Sequence, residues 1–456
     1  MRGVGLFIIL LAVSLRSTAG GMEDPALASN GCEYSDGFEF VMGTDSYTPP
    51  TIPMPPKGTC MADPNFYTKI VRMTDKRLDG YSGPGIENEY SKVDPENSDG
   101  TLLILRGNDG SWYLYNASTY QMIEVLSDTV FGECGWEEPE PRWDPSDPKI
   151  FYYLCSTDPP NTIELRSYNI DTDTSTTIHD FKNEFPSAAS LTTKTEGDAS
   201  LDRRYWCFMV QDSEYNLLSV IVYDKTLDGI VGQKSSGFRD EVNWVGMSMS
   251  GNSCAIGWAA YVPPLTTTVV SRDFSQVIEL PDGSAGHGDF ALTADGRDVY
   301  VYQSVRTDHI AMADLNTGIE TPLVEIPFPI NLDIGLHISG NSSQTPGWVL
   351  VSTYGSKKPP QGSRHSWMDT QLFLVELKAD PRIWRLAHTQ SYTSFFYTGG
   401  KNYFAEAFAA INSKGTRVYF GSNWANWANW KHFFRRDYTE TYQVRLPDDW
   451  VSTIPE

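Results

Sequence analysis

Long apolar runs are scarce in this 456-residue chain: after the first twenty residues, none approaches the ~20 that a membrane-spanning helix needs. That argues against a helical span in the body of the protein. Positive charge is also short, with 35 Lys and Arg against 58 Asp and Glu and a formal net charge of −23. Such a surface repels phosphate, so nucleic acid and anionic membrane are poor partners. The same field repels anionic substrates unless a local basic site overcomes it. Charged residues make up only 20% against 40% hydrophobic, which excludes a disordered or coiled-coil chain. Several catalytic signatures are missing as well: no Gly-x-Ser-x-Gly elbow, no His-Glu-x-x-His, no phosphate loop and no dinucleotide fingerprint. Hydrolase triads and nucleotide chemistry are thereby disfavoured.

What is abundant points to strands and turns. Gly (37) and Pro (28) supply turns, and aromatics at 13%, including 13 Trp and 24 Tyr, suit pleated, half-buried surfaces. Arg2, an apolar run from Val4 to Leu15 and the small residues around Ser17-Thr18-Ala19 form an export signal over residues 1–19. A secreted or periplasmic location follows. The six cysteines (Cys32, Cys60, Cys134, Cys155, Cys207, Cys254) form an even set with no zinc-type spacing, which in an exported chain implies three disulfides. Sequence allows 15 pairings; nearest-neighbour pairing is the expectation.

A repeated unit sets the fold expectation, because a period of 40 to 50 residues signals a propeller. Its core is a strand, a polar turn and an aromatic or β-branched strand, as in Asp289-Phe290-Ala291-Leu292, the turn Asp295-Gly296 and Val299-Tyr300-Val301-Tyr302. Further copies begin at Tyr90-Ser91-Lys92-Val93, Glu140-Pro141-Arg142-Trp143, Asp198-Ala199-Ser200, Val245-Gly246-Met247-Ser248, His337-Ile338-Ser339 and Phe408-Ala409-Ala410-Ile411, giving seven. A second hairpin follows each copy except the last, so an all-β, seven-bladed β-propeller of four-stranded blades is expected over residues 66–456. The seventh copy lacks a fourth strand, and the strand-like segment Phe66 to Met73 is expected to supply it, closing the ring without an open edge. The competing arrangement is a six-bladed ring with a stray C-terminal hairpin. Residues 20–65, Pro-rich around Pro49 to Pro56, read as an extended arm pinned by Cys32 and Cys60.

In a propeller the innermost strand of each blade lines the central channel. Aligning the seven copies on their turns brings Tyr90, Lys92, Glu138, Glu140, Arg142, Glu196, Asp198, His287, Asp289, His337 and Glu406 into one polar ring. A hydrated wall of mutually paired groups would look the same, since structural ion-pair networks also cluster charge. His287 and His337, flanked by Gly286, Gly288 and Gly335, are the sharpest pair. Converging with Asp289 and Glu406 they would hold a divalent metal (Ca, Mn or Zn), or one would serve as a general base near neutral pH. Arg142 and Lys92 are the positive charges available to assist catalysis. Tyr90, Arg364 and His388 are candidate substrate contacts, whereas His179 and His309 read as ordinary outer-strand residues. The run from Ser422 to His432 places Trp424, Trp427 and Trp430 at three-residue intervals, which suits either a sugar-stacking platform or packing across the ring closure. Asn116 and Asn341 lie in glycosylation-type triplets.

The Ser or Thr, then Asp-Gly before an aromatic strand resembles the TolB-like propellers. An exported seven-bladed ring with His on inner strands also resembles the oligogalacturonate and ulvan lyases, over roughly residues 66–450. The resemblance implies β-elimination on a uronate-containing polysaccharide, with a metal or basic residues neutralising the carboxylate and a His, Lys, Arg or Tyr removing the C5 proton. It would place His287, His337 and Glu406 at metal or charge-neutralising positions, assisted by Arg142 or Lys92. A monomer acting on a polysaccharide or oligosaccharide is expected. The alternative is a non-catalytic propeller that binds a glycan or a protein partner, because the fold alone implies no activity.

Overall fold

The computed structural model describes residues 32–34, 37–135, 138–157, 161–259, 263–328, 334–355, 366–393, 402–424 and 438–456. The export signal, Arg364, Trp427 and Trp430 lie outside these residues. Antiparallel strands form seven sheets. Their first strands are Ile86–Glu87, Arg142–Trp143, Ser190–Thr192, Val242–Met247, Gly288–Leu292, Ile334–Ser339 and Ala410–Ile411. These line the centre of a seven-bladed propeller.

Strand alternation explains why the blades stack. Successive residues point to opposite faces of a sheet, so each blade feeds two interfaces. On blade two, Phe151 and Tyr153 pack toward blade one, while Tyr152 and Leu154 pack toward blade three. Blade three repeats the device, with Trp206 and Phe208 on one side and Tyr205 and Met209 on the other. Among the described residues the core divides into seven apolar clusters, one at each interface.

Ring closure follows the sequence expectation. Lys69–Arg72 pairs antiparallel with Glu440–Arg445 in the last blade, from Lys69 opposite Arg445 to Arg72 opposite Tyr442. The arm is more integrated than a tether: Cys60–Ala62 adds a fifth strand to that sheet. Further upstream, Met42 bridges Trp384, and the Arg385 amide donates to the Val41 carbonyl at 2.9 Å. The arm thereby covers the outer strand of blade six, Ile383–His388, and packs the partly buried Phe38 and Phe40 against Trp384. Cys32 pairs with Cys60, Cys134 with Cys155 and Cys207 with Cys254, the last joining blades three and four. These are the nearest-neighbour pairs.

Two first strands depart from expectation. Tyr90 to Val93 is not strand: after Ile86–Glu87 the chain leaves the ladder and re-pairs only at Glu96, which bridges Leu103. Blade three likewise stops pairing after Thr192, and Lys194 and Thr195 turn through left-handed backbone (φ 63° and 58°) before Asp198. Both detours enter the channel.

Candidate functional site

The two detours meet across the ring. Lys92 of blade one pairs with Glu196 of blade three at 3.0 Å and lies 3.9 Å from the ring centroid of Trp244 of blade four. Tyr90 packs edge-on against His337 of blade six (5.4 Å) and at a 35° tilt against Phe408 of blade seven (5.2 Å). Asn341, in its better-satisfied orientation, donates to the Lys92 carbonyl at 3.1 Å, which makes its side chain part of the channel wall. Together these contacts plug the channel. On the turn side of the plug lies a cavity of about 250 Å³ lined by Lys92, Trp143, Glu196, Asp198, Trp244 and Asp289.

The opposite mouth is where the first strands begin, and His287 stands there. The residue is exposed, and its Nδ1 lies 2.8 Å from the Leu336 carbonyl oxygen. A carbonyl only accepts, so Nδ1 carries the proton and Nε2 keeps its lone pair. One face of the ring meets solvent, yet the crowded wall behind it holds the pKa below the ordinary imidazole value. His287 is therefore a neutral, oriented base at pH 7.

His337 stacks on His287 (centroids 4.6 Å, 23° between planes) and on Tyr354 (5.1 Å, 21°). It is sealed in at 1% exposure, and both its ring nitrogens lack hydrogen-bond partners. Burial first, then the neighbouring His287 and Lys92, pushes its pKa far below the usual value. The imidazole stays neutral and inaccessible, so it supports His287 rather than meeting a ligand. Glu406 Oε2 is 3.4 Å from His337 Nε2, and the Glu406 carboxylate also engages the Tyr354 hydroxyl. Ala407 and Phe408, which follow it, have φ of 74° and 40°, left-handed backbone that non-glycine residues seldom adopt.

The expected metal set does not assemble. Asp289 is buried, with Oδ2 accepting from the Gly340 amide (2.8 Å) and Oδ1 from that of Phe290 (2.9 Å). Burial pushes its pKa up to about 7. His287 Nδ1 is committed to a carbonyl. Among the described residues no three His, Cys, Asp or Glu side chains converge as ligands. The donor groups present do not fit the divalent site read from the sequence.

Several other candidates turn out to be structural. Arg142 is 2% exposed and spends its guanidinium on Glu89 (2.7 Å), the Gly197 carbonyl (2.9 Å) and Asp198 (3.5 Å). It forms a spoke between blades, tying the start of blade two to Glu89 and to the detour of blade three. Lys92 and Tyr90, both buried, belong to the plug. Glu140, at φ 44°, accepts from Thr192 Oγ1 (2.6 Å) and the amides of Thr193 and Thr195, which pins the detour of blade three. His388 is fully buried, stacked on Phe66 (4.8 Å) and 3.3 Å from Asp63, so it anchors the chain before the closure strand and touches no channel. Trp424 is likewise fully buried; it stacks on Tyr442 and donates to the Ile52 carbonyl, joining the arm to the last blade. Its sugar-platform role gives way to packing across the closure.

Tyr403 was not legible as a site residue. It is 54% exposed and packs 4.7 Å from Phe408, at the same mouth as His287. Burial of its ring and the carboxylates Glu196, Glu406 and Glu87 raise its pKa, so it remains a phenol. The only sequence signal was an aromatic three residues before Glu406.

The fold and the mouth define an all-β, seven-bladed propeller with a histidine-bearing channel entrance. No protein-family model and no curated protein matches the sequence. Among solved structures, the chain is similar to an oligogalacturonate lyase from Vibrio parahaemolyticus, with a TM-score of 0.55 at 15% identity over 86% of this chain and 97% of that one. It is also similar to an oligogalacturonate lyase in complex with manganese, at 0.53 and 13% over 89% and 96%. At these identities the likeness is one of architecture.

Proposed function

We propose that the protein is a secreted carbohydrate-active propeller, a polysaccharide lyase that cleaves a uronate-containing polymer by β-elimination. The observation that carries this reading is the hydrogen bond from His287 Nδ1 to Leu336, which leaves Nε2 neutral, basic and open to the mouth. The C5 hydrogen of a uronate is acidic because the adjacent carboxyl group stabilises the developing charge. His287 Nε2 takes that proton, the electron pair forms the C4–C5 double bond, and the C4–O bond breaks. The departing oxygen takes a proton from solvent or from the Tyr403 hydroxyl. The lyases of matching fold support this substrate class, and the three disulfides support export.

The purified protein, incubated with polygalacturonate, ulvan and other uronate polymers, should produce the absorbance of the unsaturated product. His287→Ala should lower turnover by about 10²–10⁴-fold, the usual worth of a general base, with the melting temperature unchanged. Running the assay with and without a chelator tests cation dependence, which the manganese complex of a structural neighbour makes relevant. Absence of product on every uronate polymer would overturn the reading. The binding-only alternative draws on one fact: Lys92, Arg142 and His337 are consumed in contacts within the protein.

A further inference from the structure

At the mouth where the first strands begin, around the inner end of blade one and bordered by blades two and seven, four polar atoms are buried without hydrogen-bond partners: Glu87 Oε2, Glu89 Oε1, Glu138 Oε2 and Arg106 Nε. Well over nine in ten buried polar groups in folded proteins are partnered, so a local cluster of exceptions calls for a ligand or ordered water. These atoms belong to one constellation. Glu87 lies directly opposite Arg106 in the strand register, and Arg106 forms an ion pair with Glu138. Glu89 is held by Arg142 through its other oxygen.

The cluster is built into the fold. A Cβ on Gly421 would meet Glu87 Oε2 at 2.0 Å, so that glycine of blade seven is what lets the carboxyl group lie where it does. The side chains of Glu87 and Glu89 are almost fully enclosed, while Arg106 and Glu138 keep 24% and 34% of theirs exposed. Tyr403 feels the charges of Glu87 and Arg106 as well as those of Glu196 and Glu406. Burial raises the Glu87 carboxyl well above its ordinary value, against the pull of Arg106, and pushes Glu89 up to about 7, which favours the neutral forms and lowers the charge of the patch.

Glu89 Oε1 and Glu138 Oε2 are unpartnered acceptors and Arg106 Nε an unpartnered donor, while Glu87 Oε2 accepts as a carboxylate and can donate when protonated, so the cluster can both accept from and donate to a ligand. Hydroxyl groups on a pyranose ring supply donors, and a ring oxygen or carboxylate can receive from Arg106. We propose that Glu87, Glu89, Arg106 and Glu138 form a sugar-binding subsite that holds the residue next to the one presented to His287. The proposal rests on the glycan reading of the mouth but not on turnover.

Its test is equilibrium binding by calorimetry in the His287→Ala background, titrating trigalacturonate and, separately, the neutral xylotriose. Arg106→Met and Glu138→Ala, at partly open positions, should each weaken binding at least tenfold with an unchanged melting transition, and Glu87→Gln should retain most of it. Full affinity in both Arg106→Met and Glu138→Ala would overturn the subsite while leaving the lyase reading intact. Binding of xylotriose but not trigalacturonate, still weakened by those substitutions, would uphold the subsite and remove the uronate substrate. If neither sugar binds the parent, both fall.

Discussion

Burial moves Asp289 and His337 in opposite directions on the pH axis. Asp289 titrates near 7 in the folded protein against an ordinary 3.8. The folded state therefore holds a proton the unfolded state has released, and this contribution is complete below about 3.8 and lost as pH rises through 7. His337, depressed below 6.5, adds stability above 6.5 that is lost as pH falls toward its folded value. Asp289→Asn should gain melting temperature relative to the parent on going from pH 5 to pH 8. A constant difference across that range, read by thermal melts, would contradict the burial account. The depressed His287 also places the acid limb of any turnover below pH 6.5. At this scale the sequence was a partial guide. His287 and His337 were visible through their glycine flanks, and they do meet. Arg142 and Lys92 were read as free cations because their partners lie 53 and 104 residues away on other blades. No local pattern carries such a pairing.

Among elements, the closure strand has the largest leverage. Lys69–Arg72 gives the last blade its fourth strand, and Ile70, Val71 and Met73 each bury in a core cluster beside it. Deleting residues through Met73 exposes Glu440–Arg445 as an unpaired edge and should abolish the single cooperative melt. Deleting only through Thr59, with Cys60→Ser, should leave a folded ring with a lower melting temperature, because the arm's Phe38 and Phe40 are lost from blade six but the closure stays. Equal melting curves for the two truncations would refute this division of labour. Blades and closure were legible because alternation and turn residues are local signals. The detours at residues 88–95 and 193–198 were not, since they replace ladder hydrogen bonds with contacts across the channel that only the closed ring creates.

For the whole molecule, the three disulfides fit an exported protein. Thiol counting on the denatured, unreduced protein should detect none free, and six would undo the export reading. The ring's topology sets a schedule for its own assembly. Arg72 and Glu440, joined by a hydrogen bond at the closure, are 368 residues apart, so the strand that completes the propeller is synthesised long before its partner. At ~5–20 residues per second the interval is roughly 20–70 s, during which Ile70, Val71 and Met73 leave the ribosome with no sheet to join. The nascent chain thus carries a sticky, unsatisfied strand through that whole interval, and its yield in a secretory host should depend on a chaperone that shelters this segment until Glu440–Arg445 has been made.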